Sequence, residues 1–302
     1  MKYILRKSVL GDVPEIEITA EEYAEFEKAR NTLSNALEIE EKYEIVIRSY
    51  IDFERQILDT ITIHMVRMPL DYIDFFEERL DLNIRLLNLL TAGRLYVDQL
   101  SQNVQECIPD VADATEIVKK FRSKEYDENK EYRFMEALRN YVQHRGIPVH
   151  WAQGWSRWTS LEDDGLMEYS MELASLRSSL TKDGEFKKEV LDEMDEKVDL
   201  KQATRCYIES LSNIHESVRT VIAESVTSAR KLIKSAQNRY AAVNSENIVG
   251  LSAFKRTNQR FIDPIPLLLD WDDVRVKLQG RNRKATNLRK RYVTGIIKTN
   301  NK

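Results

Sequence analysis

The sequence predicts a mainly α-helical protein: an antiparallel helical bundle with a small β-hairpin insertion and a long C-terminal helix. Three observations carry this. Only 9 Gly and 6 Pro occur in 302 residues, too few for numerous strands and tight turns. Apolar residues recur at helical spacing over long stretches. A single region, near residues 149–174, alternates apolar and polar residues instead.

Along the chain, "ITAEEYAEF" holds a capping box, Thr19 with Glu22, which starts a helix by satisfying two free backbone N–H groups. Its apolar side is Tyr23, Phe26, Leu33 and Leu37, interrupted by the charged patch "EIEEKYE". The stripe resumes at Ile47, Tyr50, Phe53, Ile57 and Ile61, giving one long helix or two nearly collinear ones to about Arg67, stopped by Pro69. A second long helix runs from about Asp71 to Cys107, with Leu86, Leu90, Val97, Leu100 and Val104 as its stripe and Pro109 beyond it. Gly93 in its middle costs about 1 kcal/mol of helix propensity, which a close approach by a neighbouring helix would justify.

A shorter helix is expected at 111–122. Another begins near Tyr126 or Asn129, carries Phe134, Leu138, Tyr141 and Val142 inward, and ends near Gly146, a natural C′ residue, before Pro148. In the hairpin, Asp164-Gly165 is the turn signal, and Met167, Tyr169, Met171 and Leu173 alternate with Glu168, Ser170 and Glu172. Trp151, Trp155 and Trp158 either form a base-stacking surface or, as the favoured reading, cover the end of the bundle. Asp199 with Gln202 resembles a capping box and opens the clearest helix. Its stripe of Tyr207, Leu211, Ile214, Val218, Val221, Ser225, Leu232 and Ala236 is close to a heptad seam. His215 beside that seam, and His64 near the end of the first helix, read as packing or hydrogen-bonding residues. "DPIPLLLDWDDVRVKLQG" suggests a docking segment. The expected segments are therefore 1–146 (helical bundle), 147–182 (hairpin insertion), 183–243 (C-terminal helical region) and 244–302 (docking segment and basic tail).

Composition narrows the function. No apolar run of about 18 residues exists and "MKYILRKSVLGDVPEIE" lacks a signal-peptide core, so a cytoplasmic chain with no membrane partner is expected. Cys107 and Cys206 are the only cysteines and read as small core residues. No CxxC or HExxH spacing and no glycine-rich phosphate loop is present, so the expectation is no metal site and no cofactor. The net charge of −4 hides an asymmetry. After Asp273 no acidic residue follows, while ten basic residues do, so the first 273 positions carry −14. Arg281, Arg283, Lys284, Arg289, Lys290 and Arg291 in this tail could contact RNA phosphates, or the tail could dock on an acidic face of its own body or of a partner.

The densest chemistry lies in "ALRNYVQHRGIPVH", residues 137–150. Asn140 and His144 are four apart and stack on one side of their helix, at the edge of its apolar face. Arg139 lies about 100° around, with a side chain long enough to reach the same edge. A histidine can take or give a proton near neutrality, a guanidinium can hold a phosphate by two parallel hydrogen bonds, and an asparagine can orient either. This combination suits attack by an RNA 2′-hydroxyl on its neighbouring phosphate. Arg145, adjacent to His144, is a further candidate for the RNA backbone.

"RNYVQH" in the last turns of a closing helix resembles the R-N-x3-H signature of the HEPN superfamily, a resemblance covering roughly residues 40–146. It implies a HEPN-like bundle and a metal-independent endoribonuclease of the toxin or anti-phage defence kind. It also implies a homodimer whose motif helices face each other across a composite cleft, controlled by an antitoxin or other regulatory partner. Under it Arg139 binds phosphate, Asn140 positions, and His144 transfers a proton or contacts phosphate. The other reading is a non-catalytic helical module that dimerises through the 200–240 helix and binds RNA or a partner with its tail.

Overall fold

A computed structural model of the chain describes residues 1–9, 11–67, 71–162, 165–182, 184, 186–244, 247–257 and 260–294. It is mainly helical, with two small antiparallel sheets and long helices, as the sequence predicts. Pro69, the expected stop of the first helix, and Asp164, half of the expected turn signal, lie outside the described residues, as do Lys298 and Lys302 of the basic tail. The chain groups into two compact units. The first comprises residues 1–45, 95–121 and 215–283, and the second 46–94, 122–214 and 284–302. Neither coincides with the four consecutive segments expected, because three long helices each contribute residues to both.

Those helices are α1 (Ala20–Arg67), α2 (Tyr72–Cys107) and α7 (Leu200–Ala241). Between them lie α3 (Ala114–Glu128), α4 (Lys130–His144) and two short helices, α5 (Arg177–Leu180) and α6 (Lys188–Asp192). Helix α1 is a single element whose start uses the capping box: Thr19 N–H donates to Glu22 Oε2 at 2.9 Å, and Glu22 N–H donates to Thr19 Oγ1 at 3.1 Å. The start of α7 uses one arm of such a box, with Asp199 Oδ1 accepting from the N–H of Lys201 and Gln202 at 2.8 and 3.1 Å.

In the first unit, β1 (Lys2–Lys7) and β2 (Ile16–Ile18) join β6 (Leu251–Thr257) and β7 (Arg260–Pro266) in a sheet of order β2-β1-β6-β7. The sequence reading placed no strand in any of these segments. The stretch 244–302, expected as a docking segment and basic tail, holds β6, β7 and helix α8 (Asp270–Arg281). Ile4 and Leu5 of β1 pair with Phe254 and Ala253, and all four are buried. The charged patch that interrupted the stripe of α1 turns inward here. Glu40 is buried beneath His215 and Arg219, and Tyr43 stacks on His215 with ring centroids 3.8 Å apart. Tyr96 Oη lies 3.0 Å from His215 Nδ1. His215 is thus a buried hydrogen-bonding residue, as expected.

The heptad seam of α7 holds only in part. Tyr207, Leu211, Ile214 and Val218 are buried, but beyond them the buried apolar residues are Ile222, Val226, Ala229, Ile233, Ala236 and Tyr240, while Val221, Ser225 and Leu232 are half-buried. A straight helix advances at 3.6 residues per turn, so a 3.5-residue pattern drifts off the buried side over its length.

In the second unit, β3 (Trp151–Trp158), β4 (Met167–Leu176) and β5 (Lys197–Asp199) form the other sheet, with Gly154 opposite Met171 and Trp151 opposite Ala174. The expected hairpin is present, and Met171 and Leu173 point to its buried side. Trp151 is half-buried, but Trp155 and Trp158 do not cover the end of a bundle, being 54% and 58% exposed. They stand three apart on a strand, so they point to opposite faces and cannot share one buried side. Gly93 behaves as expected, since a Cβ there would lie 2.5 Å from the Tyr207 hydroxyl of α7.

Candidate functional site

Helix α4 ends at His144, and Arg145 closes it by donating its N–H to the Tyr141 carbonyl at 2.8 Å. Gly146 is not the left-handed C′ residue expected, as it is absent from the positive-φ residues. Its lack of a side chain serves packing instead: a Cβ would lie 2.7 Å from the Tyr141 hydroxyl, which folds over it.

The last turns of α4 line a cavity of about 160 Å³ together with residues from the segment before α6. Its walls are Ala137, Asn140, Tyr141, His144 and Arg145 on one side and Phe186 and Lys187 on the other. Phe186 is buried and fixes this approach, with its ring 5.8 Å from that of Phe134 and 5.9 Å from that of Tyr141. Asn140, His144, Arg145 and Lys187 are exposed. The cavity therefore offers an imidazole, a carboxamide, a guanidinium and an ammonium, with no carboxylate among the described residues of its walls. Such a set complements an oxyanion.

Of the three residues of the motif, two meet here. Arg139 does not line the cavity. It is 7% exposed, on the buried side of α4 with Tyr132, Phe134, Met135 and Leu138. Its Nη1 donates to Gln143 Oε1 at 3.3 Å, and its Nε has no hydrogen-bond partner. The long side chain that could have reached the edge is instead packed inward, where its methylenes add to the apolar face. Phe186 and Lys187 were not foreseen. They lie in the polar stretch "TKDGEFKKEV", and nothing local marks them as neighbours of α4.

Residues 285–291 of the basic tail run along α7. Ala285 N–H donates to Ser212 Oγ at 2.8 Å, Leu288 N–H to Glu209 Oε1, and Arg205 Nη1 to the Arg291 carbonyl at 3.1 Å. Arg281 pairs with Glu44 at 2.7 Å, and Arg289 Nε lies 3.9 Å from Glu209. Arg283, Lys284, Lys290 and Arg291 are exposed. The chain's own acidic side chains thus engage part of the tail.

The other two histidines are internal fixtures. His64 Nε2 meets both oxygens of Glu78, at 2.8 and 2.9 Å. His150 Nδ1 accepts from the Leu176 N–H at 3.1 Å. Both cysteines are free and buried. Among the described residues, no helix is long and apolar enough to cross a membrane. Compared with known proteins, the chain matches no family model, no curated protein and no solved structure.

Proposed function

We propose that the protein is a metal-independent endoribonuclease that cleaves RNA by 2′-hydroxyl attack, acting as a homodimer under the control of an antitoxin or other regulatory partner in anti-phage defence. The observation that carries this reading is the meeting of exposed His144 and Asn140 with Arg145 and Lys187 around one cavity that has no carboxylate among its described walls. In the reaction the 2′-oxygen attacks phosphorus as a base removes its proton, and the 5′-oxygen leaves as it gains one. The products are a 2′,3′-cyclic phosphate and a 5′-hydroxyl. His144 serves the proton transfers, with a second copy of the chain supplying the partner imidazole. Arg145 and Lys187 hold the charge gathering on the phosphate oxygens. Asn140, one turn before His144, orients the imidazole or a ligand oxygen. Arg139 acts from behind as a positioning residue through Gln143. The exposed cations Arg283, Lys284, Lys290 and Arg291 extend the contact along the RNA backbone.

The test is cleavage of RNA in EDTA by the wild-type chain and by His144→Ala. Loss of at least about a hundredfold in the variant supports the reading. Equal activity in both proteins, or loss of wild-type activity in EDTA, sinks it.

The burial of Arg139 away from the cavity favours a second reading, a non-catalytic helical module in which the motif is structural and the tail binds RNA or a partner. Deleting residues 281–302 would then abolish binding in a protein that never cleaves RNA. Binding through the tail should also weaken steeply with added salt.

A further inference from the structure

A second cavity, in the same unit but sharing no residue with the first, has the composition of a ligand site. It has a volume of about 270 Å³ and is lined by Tyr72, Phe75, Phe76 and Arg79 of α2 and by His150, Trp151 and Ala152 at the start of β3. The α2 residues fall at i, i+3, i+4 and i+7 over its first two turns, hence on one side of the helix. The strand is held against them by Asn83, one turn further on. Its side chain accepts from Val149 N–H at 2.9 Å and donates to the Val149 carbonyl at 3.3 Å, acting like a strand partner.

Four aromatic rings thus surround two donors. Tyr72, Phe75 and Phe76 are exposed although large and apolar, with Tyr72 at 78%. Arg79 is half-buried, and its guanidinium makes no hydrogen bond or ion pair among the described residues. His150 uses Nδ1 to accept from Leu176 N–H, and burial together with the charges of Arg79 and Lys182 lowers it to about 4. The ring is therefore neutral, its proton sits on Nε2, and that N–H is a second donor without an acceptor among the described residues. Among the described residues no carboxylate side chain lines the cavity. The nearby acids are engaged elsewhere, Glu78 by His64 and Glu172 by Trp151 Nε1 at 3.2 Å and Lys197.

A ligand that satisfies all of this has a planar apolar ring to lie against the aromatic side chains and an oxyanion to accept from a guanidinium and an imidazole N–H. We propose that this cavity binds a nucleoside monophosphate unit, with its base among Phe75, Phe76 and Trp151 and its phosphate on Arg79 and His150 Nε2. The unit is either a free nucleotide or the 5′-phosphorylated end of a single-stranded RNA. The proposal does not rest on RNA cleavage at His144, and binding here persists in a protein that cleaves nothing.

The experiment is a calorimetric titration of the full chain, with the protein's tryptophan fluorescence as a second signal. The probes are adenosine monophosphate, adenosine, inorganic phosphate and a 5′-phosphorylated oligoadenylate. Adenosine monophosphate should bind saturably, at least about tenfold more tightly than adenosine or phosphate, because only it fills both halves of the site. Arg79→Met and Phe76→Ala should each weaken it by about tenfold or more. Both side chains are surface-accessible, so circular dichroism and melting should show folded variants. Tighter binding of the oligonucleotide assigns the site to an RNA end, and equal or weaker binding assigns it to a free nucleotide. The proposal is overturned by no saturable binding of adenosine monophosphate up to about 10 mM, or by unchanged affinity in folded Arg79→Met.

Discussion

A Cβ on Gly154 would lie 2.0 Å from Nδ1 of the His64 imidazole. The strand backbone therefore rests directly on a ring that cannot step aside, because Glu78 holds its other nitrogen. Gly154→Ala should destabilise the protein by about 1–3 kcal/mol through overpacking. Combining it with His64→Ala should remove most of that extra cost. Urea midpoints of the four proteins in the cycle provide the check, and strictly additive costs would refute the contact.

Glu40 sits at the centre of a buried charge network. Arg219 donates to its two oxygens at 2.8 and 2.6 Å, and His215 Nε2 lies 3.3 Å from one of them. Burial raises the carboxyl, but the hydrogen bonds from Arg219 and His215 outweigh it and bring Glu40 down to about 2. Glu40→Leu alone should cost about 3–5 kcal/mol, because it leaves a half-buried guanidinium without its carboxylate. Glu40→Leu with Arg219→Met should cost less than the sum of the two single changes. Additivity in a denaturant titration would overturn this account.

Acid should destabilise the fold through His150 before carboxylates titrate. Burial and the neighbouring Arg79 and Lys182 charges hold its folded value near 4, against 6.5 for an ordinary histidine. Between these values the unfolded chain takes up a proton that the folded one refuses. Stability is therefore full above about pH 6.5 and falls as the pH drops toward 4, by on the order of 1–3 kcal/mol. Buried His215 is shifted in the same direction by burial and adds to the slope. In His150→Leu the dependence of unfolding free energy on pH across this window should become shallower, even if the protein is less stable throughout. An unchanged slope would contradict it.

The thiols should be silent in the native protein. Burial pushes Cys107 up to about 12 and raises Cys206 as well. A disulfide reagent at about pH 8 should find no reactive thiolate until denaturant is added, after which both cysteines titrate. Immediate reaction of either one in the folded chain would rule out its burial.

Replacing Arg139 should matter less for stability than its burial suggests. Among the described residues its guanidinium has one hydrogen bond, to Gln143, and an Nε without a partner. Arg139→Met keeps the methylene packing and removes the unsatisfied donor, so the melting free energy should change by less than about 1 kcal/mol. A loss of several kcal/mol, measured by urea unfolding, would reveal an interaction beyond that single bond.

The long helices were legible because their signals are local. The Thr19 box, the stripe of α2, the alternation in β4 and the glycine under Tyr207 all depend on spacing along the chain, and each was found where expected, while the α1 stripe holds in part, with Leu37, Ile47, Tyr50 and Ile61 half-buried. The same logic fails where a local pattern has two outcomes. "EIEEKYE" reads as a charged patch interrupting the apolar stripe, yet Glu40 and Tyr43 face inward because Arg219 and His215 come from 175 or more positions away. Arg139 had the length to reach the motif edge or the core, and only the packing of α4 decided between them.

By itself the sequence determined a mainly helical protein, the positions of its long helices, the hairpin, and the alignment of Asn140 with His144, because backbone periodicity fixes which neighbours share a side. Tertiary structure alone decided that β1 and β2 join β6 and β7 in one sheet, that Phe186 and Lys187 complete the His144 cavity, and that Arg79 and His150 line one cavity with aromatic rings. Those pairings join residues far apart in the chain. Their free energy lies in contacts and charges formed only on folding, which no spacing along a strand or helix encodes.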